Sequence, residues 1–372
     1  MTWPIALPQN ATLILCSTVP ASYAQSVAAE LQSCGRGDIY FIDAPVSGGA
    51  KRAADGTLSI MAGASDAALE KGKFLLQAMS DANKLYLVPG GIGAGSNMKM
   101  VHQVLAGIHI LGASEAMGFA AQLGLDAVKT AEAIKSSDSW SWMHENRLQR
   151  MLEEDWHPGA SALTIILKDV VRLQLAALSE TSVTNQRIQG IITTSARQNQ
   201  FPTPLCSTAE QVYLSALLQG FGAVDDSSMV RQYYSEPITK VANTKSIEEN
   251  AEALQLVLDV MQLTNLVAAA EAISFARYLN VDLKQFFTLV SDAAGASRQF
   301  MTKGLEMIEG RVGQNSETVN DVISRLEKGV QKARDLHCPL HLGNAALSVL
   351  LMAKRAGLGA EGSTSVIKVF GF

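Results

Sequence analysis

Residues 90–103, Gly-Gly-Ile-Gly-Ala-Gly-Ser-Asn-Met-Lys-Met-Val-His-Gln, decide how this chain is read. Gly90, Gly91, Gly93 and Gly95 leave the backbone free to turn, and from Asn97 the apolar pattern predicts a helix to at least about Leu123. Lys99, His102 and Gln103 stand at i, i+3 and i+4, so one helix face carries three proton-handling groups beside an amide-rich turn. A lone lysine at a helix start is ordinarily a solvated charge. Here Met98, Met100, Val101, Val104 and Leu105 flank Lys99 and leave little room for a wet face. The turn is not a dinucleotide fingerprint, because its glycines depart from G-x-G-x-x-G spacing and no second strand follows within about 30 residues.

The composition is that of an ordinary globular protein. With 48% hydrophobic and 17% charged residues over 372 positions, there is room for two or three domains and a sizeable core. A net charge of −5 with mixed signs makes no case for nucleic acid. Cys16, Cys34, Cys206 and Cys338 lie far apart without metal-ligand spacing, which predicts reduced thiols, a cytoplasmic setting and no metal centre. The opening Met-Thr-Trp-Pro-Ile-Ala-Leu-Pro does not read as a signal peptide. No stretch of about 20 residues reads as apolar enough to span a bilayer.

Ahead of the lysine the chain alternates strand and helix. Strands are expected over 11–16, 38–43, 58–62 and 85–88 and helices over 22–33 and 67–79, which implies a mainly parallel sheet. Between the second and third strands, Asp43-Ala-Pro-Val-Ser-Gly-Gly49 offers a hydroxyl and successive amides. It is either an anion nest or a plain surface turn. Beyond residue 97 almost everything reads as helix, including 140–152 and the apolar run 162–175. That run contains Lys168 and Asp169, which mark either an exposed break in the apolar face or a contact to a site.

The helical part repeats. Ser114–Asp126 aligns with Ala270–Asp282 at an offset of 156, matching Glu115/Glu271, Ala116/Ala272, Phe119/Phe275, Ala120/Ala276, Leu123/Leu279 and Asp126/Asp282. The same offset puts Gln255, Leu258 and Asp259 where Lys99, His102 and Gln103 stand. The second copy therefore keeps packing residues and drops ionisable ones, which points to chemistry at the lysines of the first. Further on, Lys168-Asp169-Val170 is aligned with Asn320-Asp321-Val322 and Pro204 with Pro339, leaving the first copy about 17 residues longer. The polar segment 180–200 is the expected excess, as a surface loop or as an untranslated segment read through.

Four motifs in register, Cys16-Ser-Thr-Val-Pro20, Asp43-Ala-Pro-Val-Ser-Gly-Gly49, Gly93-Ala-Gly-x-x-x-Lys99-x-x-His-Gln103 and Lys168-Asp169, resemble the β-hydroxyacid dehydrogenase family. The Lys-x-x-His-Gln form looks most like L-threonate dehydrogenases, and the doubled helical part resembles 6-phosphogluconate dehydrogenases. Ala106 stands where the latter place a catalytic glutamate, which argues against 6-phosphogluconate as substrate. The resemblance implies an α/β then all-α fold, with a partial Rossmann-type parallel sheet over 1–91. A helical domain with the lysine follows over 92–232, and a second, degenerate helical copy over 233–372. It further implies that Lys99 is the catalytic residue and that Ser47, Gly48 and Gly49 hold a substrate carboxylate with His102 and Gln103. On the same basis Ser17, Thr18, Lys168 and Asp169 lie against NAD or NADP. The substrate would be a small hydroxy or sugar acid, and the helical domains would form a homodimer. Family members begin with roughly 80 residues that carry the G-x-G-x-x-G turn and have no counterpart here, so the resemblance predicts an N-terminally incomplete chain. A cofactor-less acid-binding or interaction protein is the alternative.

Overall fold

The structure, a computed structural model, describes residues 6–158, 161–170, 191–242, 246–311 and 317–371, without the side chains of 50, 51 and 168–170. The chain divides into two compact units, Met1–His102 with Ala276–Leu289, and Gln103–Phe275 with Val290–Phe372.

In the first unit, β1 (Thr12–Leu15) leads through α1 (Ala21–Ser33) to β2 (Tyr40–Asp43), which pairs with it in parallel. Then come β3 (Val46–Ser47), α2 (Gly49–Ala54), β4 (Leu58–Ala62), α3 (Asp66–Met79) and β5 (Ser80–Leu87). β4 and β5 are parallel, as the alternation of strands and helices requires. The two-residue β3, which no sequence pattern announced, adds antiparallel to β4 with Ser47 opposite Ser59. The halves of the sheet meet where Asp43 and Gly63 exchange backbone hydrogen bonds of 3.1 and 2.8 Å. Because side chains alternate along a strand, Phe41 packs with Leu31 of α1, and Ile42 packs with Ala68 and Leu76 of α3 on the other face. A Cβ on Gly72 would lie 2.3 Å from Ile42 Cδ1, so this glycine lets α3 come down onto the sheet.

α4 (Ala94–Gln122) carries the chain into the helical unit. There α5 (Ala127–Ser136), α6 (Trp142–Glu153), α7 (Leu163–Val170), α8 (Ile191–Gln198) and α9 (Pro204–Leu218) form one copy. α10 (Ile247–Tyr278), α11 (Leu283–Ser291), α12 (Arg298–Ile308), α13 (Val319–Asp335) and α14 (His341–Ala353) follow, with α11 lying mostly in the first unit. The matched Asp126 and Asp282 are helix caps, each accepting from the amide three residues on. Ser141 and Ser297, 156 apart, pair with each other in a reciprocal bridge, so the copies face one another about a local two-fold. Each copy also carries an isolated bridge at equivalent places, Ala162 with Asp225 and Thr318 with Gly362.

Those bridges correct the register of the repeat. The offset is still 156 at Ala162/Thr318 and becomes 137 at Asp225/Gly362, so the first copy is longer by 19 residues. Asp169 then corresponds to Arg325 and Lys168 to Ser324, while Pro202, not Pro204, matches Pro339. α13 is one continuous helix whose two halves are α7 and α8 in the first copy. Residues 191–198, expected within a loop or a read-through segment, are therefore part of the helical core, with Ile191, Ile192, Thr193 and Ala196 buried. The excess falls in 171–190, outside the described residues.

The matched glutamates have a role beyond packing. Glu271 of the second copy accepts from the amides of Leu205 and Cys206 at the start of α9 (2.8 and 3.0 Å). Glu115 of the first accepts from Leu342 and Gly343 at the start of α14 (3.0 and 2.9 Å). Each copy thus supplies the buried cap of the other's last long helix.

α4 and α10 also correct the expectation about membrane spans. Both are long and apolar enough by length and composition, but 94% and 83% of their apolar windows are buried inside the protein. They are core helices, apolar all round because they are packed all round.

Burial raises the carboxyl pKa of Glu115 to about 7 and of Glu271 to about 8, with the helix amides opposing. Unfolded glutamates ionise near 4.5, so between that value and the raised ones the folded chain holds more protons, and stability falls as pH rises. Thermal melts are expected to show a declining midpoint over that window. In the double variant Glu115→Gln, Glu271→Gln this slope should flatten.

Candidate active site

Two of the four motifs meet at the first turn of α4. Gly93, at φ +97°, precedes that helix and has no side chain to cap it. The cap comes from the end of β2. Asp43 Oδ2 accepts from the Gly93 and Ser96 amides (3.1 and 2.8 Å), and Oδ1 accepts from Ser96 Oγ (2.7 Å). Asp43 has no exposed surface, and desolvation pushes its carboxyl pKa up while the Ser96 and Gly93 bonds pull it down.

Steric fit closes the same joint. A Cβ on Gly95 would lie 2.3 Å from Met61 O and 2.6 Å from Asp43 O, and one on Gly63 would lie 2.5 Å from Gly91 O. Backbone therefore meets backbone here, and only glycine allows it. On the other side, Gly93 approaches Ala21 at the start of α1, where a Cβ would meet Ala21 Cβ at 3.1 Å, and Gln25 Nε2 donates to Ile92 O at 3.4 Å. A cavity of about 180 Å³ borders this turn, with Gln25, Asn97 and Asn280 on its walls.

Lys99, one turn beyond Ser96, is 5% exposed, and His102 is fully buried. The wet lysine that a helix start ordinarily carries is not what this chain has. Ser47 is half-buried and four residues beyond Asp43, with Gly48 and Gly49 exposed at φ +138° and +68°. By chain geometry the Ser47 Cα lies within about 14 Å of the Asp43 Cα, and the Lys99 Cα about 4.5 Å along the helix from Ser96. Exposed Ser17 and half-buried Thr18 follow β1 and precede Ala21. Gln103 is half-buried and opens the helical unit. Lys168 and Asp169 belong to α7, but their side chains lie outside the described residues. Sequence reasoning passed over Asp43 and Ser96 as site-builders. The only signal was an acid closing an apolar strand and a serine in a helix's first turn.

The family description "NAD-binding of NADP-dependent 3-hydroxyisobutyrate dehydrogenase" matches residues 93–186 and 250–370, and "NAD binding domain of 6-phosphogluconate dehydrogenase" matches 5–90. The chain belongs to the β-hydroxyacid dehydrogenase family. L-threonate dehydrogenase of Escherichia coli K12 is 34% identical over 225 residues, 60% of this chain and 66% of the relative, so the chain spans just under two thirds of that enzyme. A crystal structure of 3-hydroxyisobutyrate dehydrogenase from Salmonella typhimurium superposes with a TM-score of 0.53 at 33% identity, covering 62% of this chain and 72% of that one. Plasmodium falciparum 6-phosphogluconate dehydrogenase, 14% identical, shares the fold over 92% of this chain and 72% of its own, with a TM-score of 0.60.

Ser17 and Thr18 follow the carboxyl end of β1, the end of a parallel strand at which open α/β sheets take their ligands. The turn between β1 and α1 holds no glycine, so the described residues offer no pyrophosphate cradle there.

The second copy has closed the corresponding position. Asp259 stands at the place of Gln103, and Arg325 donates to its Oδ1 from Nε and Nη2 (3.1 and 2.6 Å). Arg325 also bonds Gln262 (2.7 Å) and pairs with Glu317, while Gln255, at the place of Lys99, donates to Asp259 (2.8 Å). A network of charges and amides bonded to one another replaces the ionisable face of the first copy.

The joint under α4 makes a contrast within one helix. Gly95→Ala should destabilise the chain by about 3 kcal/mol, since two carbonyls must move. Gly112→Ala, whose Cβ meets only Leu342 Cδ1 at 3.8 Å, should be neutral or stabilising by up to about 1 kcal/mol. Denaturant melts of both variants measure the difference.

Proposed function

We propose that this chain works as an NAD(P)-dependent hydroxyacid dehydrogenase that oxidises the CH–OH of a small, threonate-like acid. The observation that carries the reading is the buried Lys99, seated one turn into a helix that is bonded to the strand leading into Ser47-Gly48-Gly49. When bound, the nicotinamide ring supplies the acceptor for the hydride. The chain's own residues do the rest. Ser47 Oγ and the Gly48 and Gly49 amides hold the substrate carboxylate, with His102 and Gln103 orienting the acid. Lys99 takes the hydroxyl proton at Nζ, a step that requires its neutral amine. Ser17 and Thr18 face the ring and ribose. The threonate-like substrate is drawn from the L-threonate dehydrogenase relatives and the Lys-x-x-His-Gln form.

The alternative reading is a small-acid-binding protein without cofactor. Titration separates the two. Under the first, NAD or NADP quenches or shifts the fluorescence of the full chain, and Lys99→Ala loses turnover of threonate by at least about 10²-fold while its melting midpoint is kept. Protection of the fold by threonate, with no response to either dinucleotide at millimolar concentration, would leave the binding-protein reading standing instead.

A further inference from the structure

We infer that Asp43 is the positioning residue of this site: its buried carboxylate sets where the first turn of α4, and with it the Lys99 amine, stands against the sheet. The inference rests on the role of Lys99 proposed above. Its basis is a contrast in how helices here begin. Ser65, Asp126, Ser141, Ser297 and Thr318 each cap the helix that follows them in sequence, within three residues. α4, like α9 and α14, instead takes its cap from a residue far away in sequence, here one 50 positions upstream on the end of β2. A local serine or aspartate would satisfy the helix amides equally well. What a cap from β2 adds is a fixed place, since the first turn can be satisfied only where it touches the strand end.

Burying a carboxylate is costly unless its acceptors are used. Asp43 uses both oxygens on this one turn, accepting from the amide and hydroxyl of Ser96, three residues before Lys99, and from the amide of Gly93, six before it. The glycine contacts at 63 and 95 leave the turn no slack toward the sheet. The same residue starts the four-residue path to Ser47, so one carboxylate is the common reference for the proton acceptor and for the carboxylate cradle. Asp43 touches neither substrate nor cofactor in this scheme and acts through the backbone of α4.

The test uses the full chain labelled with lysine carrying ¹⁵N at Nζ, the Lys99 signal being assigned by its loss in Lys99→Met. Asp43→Asn and Ser96→Ala are expected to move the Lys99 resonance while the other lysines keep theirs, and Ser96→Thr, which restores the hydroxyl, should return it. Where turnover is measured, Asp43→Asn should lower kcat by about 10²-fold with KM near wild type, the size that a misplaced reacting group produces. An unmoved Lys99 signal in both variants, or a shift shared by all lysines, overturns the inference. If Asp43→Asn does not fold, the serine pair decides alone. Because the resonance reports on Lys99 and not on catalysis, the coupling is read even if Lys99→Ala keeps its activity and the proposed chemistry falls.

Discussion

A carboxylate with no solvent contact, holding the amides of a helix fifty residues away, is the constraint from which the first unit takes its form. Asp43 ends β2, bridges β4 through its backbone and caps α4 through its side chain, so three elements share one residue. Desolvation makes such a group expensive to leave unbonded, and that expense gives the joint its specificity. Any displacement of α4 along the sheet would strand the charge. Gly63 and Gly95 act in the same sense by steric means, since neither carries an atom that would hold the helix away.

The helical unit follows a parallel logic with different atoms. Glu115 and Glu271 are buried acids, each closing a helix of the opposite copy, and the reciprocal Ser141–Ser297 bridge ties the loops between them. Neither copy has its full set of helix caps without the other. The ionisable residues have been free to diverge. Where the first copy carries Lys99 and Gln103, the second holds Gln255 and Asp259 in a network closed by Arg325. The packing residues, whose partners lie across the two-fold, have stayed as the pattern requires.

Much of this was legible from residue order. Short apolar runs located β1, β2 and β4 within a few positions but only the end of β5, which begins at Ser80, while the long apolar period after Asn97 marked α4 and the offset of 156 revealed the duplication. The motifs around Ser17, Ser47 and Lys99 were sufficient to name the family. The register beyond residue 162 was misread because Asp and Pro recur by chance. Only the bridges at Thr318 and Gly362 show that Arg325 is the counterpart of Asp169 and that 191–198 matches the end of α13.

Sequence alone determined the local conformations and the chemical inventory, because periodicity, turn residues and helix caps act between neighbours a few positions apart. Tertiary structure decided which distant groups meet: Asp43 with Ser96, Glu115 with Gly343, Glu271 with Cys206. No pattern of one acid in a strand or a helix tells which helix end it will satisfy. That choice is made when burial removes water as an alternative partner, so that the nearest unbonded amides become the only ones left to take.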